Sequence, residues 1–210
     1  MSAPLEPSDP AYRPVSRSDT TLPPPPQAPA AAVGGSRQTT LLLIFLVGAA
    51  VSVGLGVYGR VHEPTLIAVN LAGFSGPLPA KAWLTSGAAL FALVQLVSAL
   101  ALYGKLGLSA PSWTGTLHRW SGRVAFLLAV PVAIHCLYAL GFESASPRVL
   151  IHSLLGCFFF GAFTAKMLLL TRKGMPGWAL PLLGGAAFTG LAGLWLTSAL
   201  WFFSTTGVTF

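Results

Sequence analysis

Two histidines, His135 and His152, sit inside apolar runs of this chain, within the stretch from His118 to Gly156. Ionisable side chains in a bilayer are costly and mark functional sites by default. Two neutral imidazoles on adjacent helices at similar depth are the donor set that grips a b-type haem. The blander reading is a histidine pair bonded to backbone carbonyls or to each other. Counted along a helix, His135 lies about 10 Å and His152 about 5 Å below the same membrane boundary. Gly156 lies one turn below His152, where backbone proximity admits a porphyrin edge. Pro131, four residues before His135, removes a helix hydrogen bond.

The other candidates are weaker. His118 is 17 residues before His135, so it projects from another face about 25 Å away. It fits a helix cap or a bond to a propionate, headgroup or quinone better than a second haem. His62 reads as a solvated loop histidine. Lys166 is expected to snorkel to the interface. Cys136 and Cys157 differ in depth by more than a disulfide tolerates, so two free thiols are expected. No nucleophile–base pair, P-loop or zinc motif occurs, and no catalytic residue is assigned.

The elements that must hold these residues follow from composition. Of 210 residues, 54% are hydrophobic and 8% charged, and the mean hydropathy is +0.72. Soluble domains are about one quarter charged. The expected fold is therefore all-α and integral to the lipid bilayer. Runs of about 20 apolar residues are needed to span it. Five are found, at 41–58, 82–103, 121–142, 149–170 and 178–203, with a C-terminal tail at 204–210. Residues 1–40, with an unbroken Pro23–Pro26, are expected to be a disordered arm. Gly48, Ser52 and Gly56 recur every fourth residue in the first run, a spacing for close helix contact.

The net charge of +7 raises nucleic acid as a partner, but the positives fall between the apolar runs and follow the positive-inside rule instead. Nine of the Lys and Arg residues lie with the arm and three opposite. The expectation is a multi-pass plasma-membrane protein, N-terminus cytoplasmic and C-terminus outside. Trp83, Trp113, Trp120, Trp178 and Trp201 fall near the predicted helix ends, as an interfacial belt would place them.

The run VLIHSLLGCFFFGAF resembles the helix of the cytochrome b561 superfamily that opens with His-Ser-x-x-Gly and donates a haem ligand. LHRWSGR is similar to the start of a helix in ferric-reductase-like membrane domains. This resemblance covers two helices and implies His152 as a haem ligand. The chain departs from it in having no histidine on helices one, two and five. Residues 41–203, about four fifths of the chain, also resemble an uncharacterised bacterial family of small five-helix membrane proteins. Together these imply a cytochrome-like electron carrier, or a haem-dependent oxidoreductase, with one haem b between helices three and four. It would exchange electrons with quinol or an outer-face partner, within a larger membrane redox complex or alone. The alternative is a cofactor-free accessory or assembly subunit.

Overall fold

The computed structural model describes residues 31–68, 70–71, 73–107 and 109–210. Among these it is all helical, with α1 (Ala31–Val61), α2 (Pro77–Leu102), α3 (Thr114–Leu140), α4 (Pro147–Leu170) and α5 (Ala179–Thr206). All five are long and apolar enough to cross a membrane. The expected runs therefore become the five helices, each starting or ending beyond its apolar stretch. The polyproline segment of the arm lies outside the described residues. The arm's last part is not separate: α1 begins at Ala31, ahead of the predicted Leu41.

Local chemistry sets the other boundaries. Pro77 opens α2 at a position where a missing N–H costs nothing. Ser146 caps α4 by accepting from Val149 N, and Pro147 follows it. The final segment is not a free tail. After Thr206 the chain folds back onto α2. There Trp83 Nε1 donates to Thr209 O at 2.9 Å, and Phe210 stacks on Trp83 at 4.7 Å.

α2 packs on α3, α1 on α4, α4 on α5 and α2 on α5. Alanine dominates the contacts (Ala88, Ala92, Ala129 and Ala165 are buried), while Leu42, Leu90, Leu127 and Leu154 face outward. This is the pattern expected where lipid replaces water: small residues let backbones approach, and leucines meet the hydrocarbon. The small stripe of α1 is used inside the chain. Gly48 lies against Gly161 and Ala165, and Gly56 faces Cys157.

α3 and α4 are joined by a short loop, yet they do not pack backbone to backbone. The expected pair of touching neighbours is instead a pair of facing walls. At mid-height Phe126 of α3 stacks on Phe163 of α4, with centroids 4.2 Å apart, and closes the gap there.

α3 and α5 each widen into a π-helical segment, at His135–Leu140 and Leu196–Leu200. Such segments leave the regular i→i−4 ladder and are frequent at functional sites. Two carbonyls of the first are taken up by the α1–α2 connection: Thr65 N donates to Tyr138 O and Leu66 N to Ala139 O. Gly141 ends it at φ +77°, where a Cβ would stand 2.8 Å from Gly59 O. This bundle end, with the α1–α2 and α3–α4 loops and the C-terminus, is the loop end. The opposite one is the arm end.

Candidate functional site

His152 projects from α4 toward α5, where its Nδ1 lies 3.0 Å from Thr197 Oγ1. Thr197 Oγ1 donates to Gly193 O at 2.7 Å, so its proton is committed. With that proton so placed, the contact matches the tautomer in which Nδ1–H donates to Thr197 Oγ1, and this tautomer has an unshared pair on Nε2. This is the arrangement by which outer groups orient a metal-binding histidine.

His152 also lines a cavity of about 430 Å³ at the loop half of the bundle, walled by α2, α3, α4 and α5. Cofactor and small-molecule sites run from about 300 to 1,000 Å³. The body of the cavity is apolar, with Ala88, Ala129, Phe159, Phe160 and Leu191 on its walls. Gly156 lines it as well. A Cβ there would meet only Leu194 Cδ2, at 3.9 Å, so the glycine widens the cavity rather than relieving a clash.

The α3 wall presents Ala129, Val132, Ala133 and Cys136. His135 is absent from it. It is half-buried, one residue off the inward stripe, and has no hydrogen-bond partner among the described residues. The structure thus brings His152 and Gly156 to one cavity and leaves His135 beside it. Cys136 and Cys157 are both unbridged and both on the cavity wall.

Several cavity residues escaped the sequence reading. Arg148 counted only as a loop charge, but its guanidinium lies over the Trp201 ring at 3.8 Å and its Nη1 donates to Thr197 O at 2.6 Å. Lys81 lines the same cavity from α2. Arg148 carried a signal, since it precedes His152 by four residues and so shares its face. Thr197 carried none: nothing in a run of apolar residues marks one threonine as a histidine's partner.

His118 is in a different place and state. Its Nδ1 lies 2.9 Å from Ser98 Oγ, which itself donates to Val94 O at 2.6 Å. Gln95 Nε2 donates to His118 O and to Ser121 Oγ. These polar groups knit α2 to α3 near the arm end, a structural role rather than a cap. Lys166 is half-buried and lines a crevice of about 60 Å³ together with Gln95 and Gly122. His62 is not freely solvated either, being stacked between Tyr58 and Tyr138 at 4.9 and 5.0 Å.

Residues 41–210, the bundle without the arm and the first turns of α1, match the model of a family of unknown function. The chain belongs to DUF6529. No curated protein and no solved structure matches it. The DUF6529 match takes in every residue of the cavity, so the site lies within the family's domain. The likeness to cytochrome b561 gains nothing from these comparisons and rests on the two runs quoted above.

Do the residues of this DUF6529 domain suit a haem? Among the described residues no three His, Cys, Asp or Glu side chains converge on a bare metal ion. A haem asks for less: an axial ligand, an apolar slot and partners for its acidic groups. His152 with its free Nε2, the apolar walls, and the Lys81 and Arg148 cations meet those three needs.

Proposed function

We propose that this protein is a membrane b-type cytochrome that binds one haem in the cavity between α3 and α4, where His152 would hold it. The observation that carries the reading is the orientation of His152. Its Nδ1 proton is held by Thr197, and the ring borders an apolar cavity of cofactor size. When bound, the haem supplies one-electron redox chemistry. The chain's own residues do the rest. Thr197 fixes the imidazole tautomer, Gly156 gives room for a flat ring, and Phe159, Phe160 and Leu191 keep water out.

From α3, Cys136 stands on the cavity wall and would face a bound ring, whereas His135 would join His152 in holding it only if α3 turned by about one residue, roughly 100°. Electrons are exchanged with quinol or with a protein partner at the loop end. The purified protein from haem-replete cells is expected to show a Soret band and a reduced α band. Its haem-to-protein ratio should be about one, since only one imidazole borders the cavity. A colourless preparation overturns the proposal. The accessory-subunit reading would then take its place, although the small stripe of α1 that favoured it is already covered by α4.

The proposed setting is the plasma membrane, with the arm end cytoplasmic and the loop end outside. The support is the asymmetry of nine Lys and Arg against three. Reporter fusions at Arg172, in the α4–α5 connection, and at Phe210 are expected to report opposite sides. A cytoplasmic signal from Phe210 would invert the orientation, and identical signals would break the five-span topology.

A further inference from the structure

The cavity's polar side chains are not alike. Thr85 Oγ1 donates to Lys81 O at 2.7 Å, and Ser153 Oγ to Glu143 O at 2.9 Å. Ser198 Oγ donates to Leu194 O at 2.6 Å, and Thr197 Oγ1 to Gly193 O. Each of these four hydroxyl protons is already spent on a backbone carbonyl, and the remaining hydroxyl, on Thr206, is exposed at the end of α5. The strong donors left over are the two cations, Lys81 and Arg148.

Arg148 is pinned in place. Trp201 supports one face of its guanidinium, and Thr197 O takes one of its N–H groups. A guanidinium has five such donors, so others remain. Neither Arg148 nor Lys81 has a salt bridge among the described residues. Glu143 also borders the cavity, but it is exposed on the α3–α4 loop, whereas both cations are half-buried. Half-buried cations beside an apolar cavity are poorly hydrated and gain from an anion. Lys81 is on α2 and Arg148 is on α4, one turn from His152, about 6 Å toward the loop end.

We propose that Lys81 and Arg148 form the anion pole of the cavity, so that the acidic groups of an amphipathic ligand face the loop end. This rests on the haem reading, in which those acidic groups are the two propionates. The pole has two consequences. It selects ligands that combine a flat apolar body with a carboxylate, and it orients the ring so that its acidic edge, not its apolar edge, meets the loop end. Partners at the loop end would therefore approach the propionate edge.

The probes are haem b and its dimethyl ester, in which the propionate charges are capped. Binding of each is titrated with the full-length chain in nanodiscs prepared from haem-deficient cells. Wild type is expected to bind haem b at least about tenfold more tightly than the ester. Arg148→Gln and Lys81→Gln should each weaken haem b by about tenfold and leave the ester's affinity unchanged. Arg148→Lys should restore part of the difference, which separates lost charge from lost folding. If wild type binds neither probe, the haem reading itself fails. If it binds both equally and the variants bind haem b as wild type does, the haem reading stands and the anion pole is overturned.

Discussion

His152→Ala is expected to abolish the proposed haem binding while leaving the bundle folded. The side chain borders a cavity and makes one hydrogen bond, to Thr197. Its removal enlarges space that is already open instead of unseating a packed contact. Losing a group that merely orients a metal ligand costs about 10- to 100-fold in affinity. Losing the ligand itself should cost at least the upper figure. The measurement is Soret absorbance per protein after identical purification. Free imidazole added to His152→Ala should restore the band, because it can occupy the vacated position. His135→Ala serves as the comparison. His135 is off the cavity wall, so its replacement should keep haem bound with little change in amount. An unaltered spectrum in His152→Ala would sink the ligand assignment. Loss of a low-spin spectrum in His135→Ala would show that α3 turns to bring that ring inward.

Gly161→Val should be the most destabilising single change in the bundle. Gly161 faces α1, where a Cβ would collide with Ser52 Oγ and Gly48 O and come 3.1 Å from Ser52 Cβ. Gly48 meets the same wall, since its own added Cβ would be 2.8 Å from Gly161 O. Two helix backbones touch here, and neither can yield without parting α1 from α4. Overpacking of this kind typically costs about 1–3 kcal/mol, and contact with backbone puts Gly161→Val at about 3 kcal/mol or beyond. Gly54 is the control. It lies on the same α1 with nothing within 4 Å of an added Cβ, so Gly54→Val should stay within about 0.5 kcal/mol of wild type. Thermal unfolding of the three proteins in one detergent tests both. Equal midpoints for Gly161→Val and wild type would mean that α1 and α4 do not meet at these glycines.

The sequence alone determined the parts that depend on local composition. Five spans could be read because a membrane segment needs only length and apolarity, and both are local. Helix starts at Pro77 and Pro147 were also written locally, in proline and serine chemistry, although the apolar-run criterion placed the starts a few residues inside them. His152 and Gly156 could be paired because they are four apart on one helix.

What crossed between helices could not be read this way. Which face of α3 looks inward is set by how α2 packs on it and by a π-helical segment that shifts register from His135 onward. One residue of register separates His135 from Cys136, and with it the wall of the cavity from its flank. The identity of His152's partner depends on α5 lying beside α4, and no local signal reports that Thr197 will be there. Lys166 and Gln95 meet at one crevice for the same reason. Apolarity decides that helices enter a bilayer. Close contact between small residues, such as Gly48 with Gly161, decides which helices touch, and so which of the remaining faces are left to enclose a cavity.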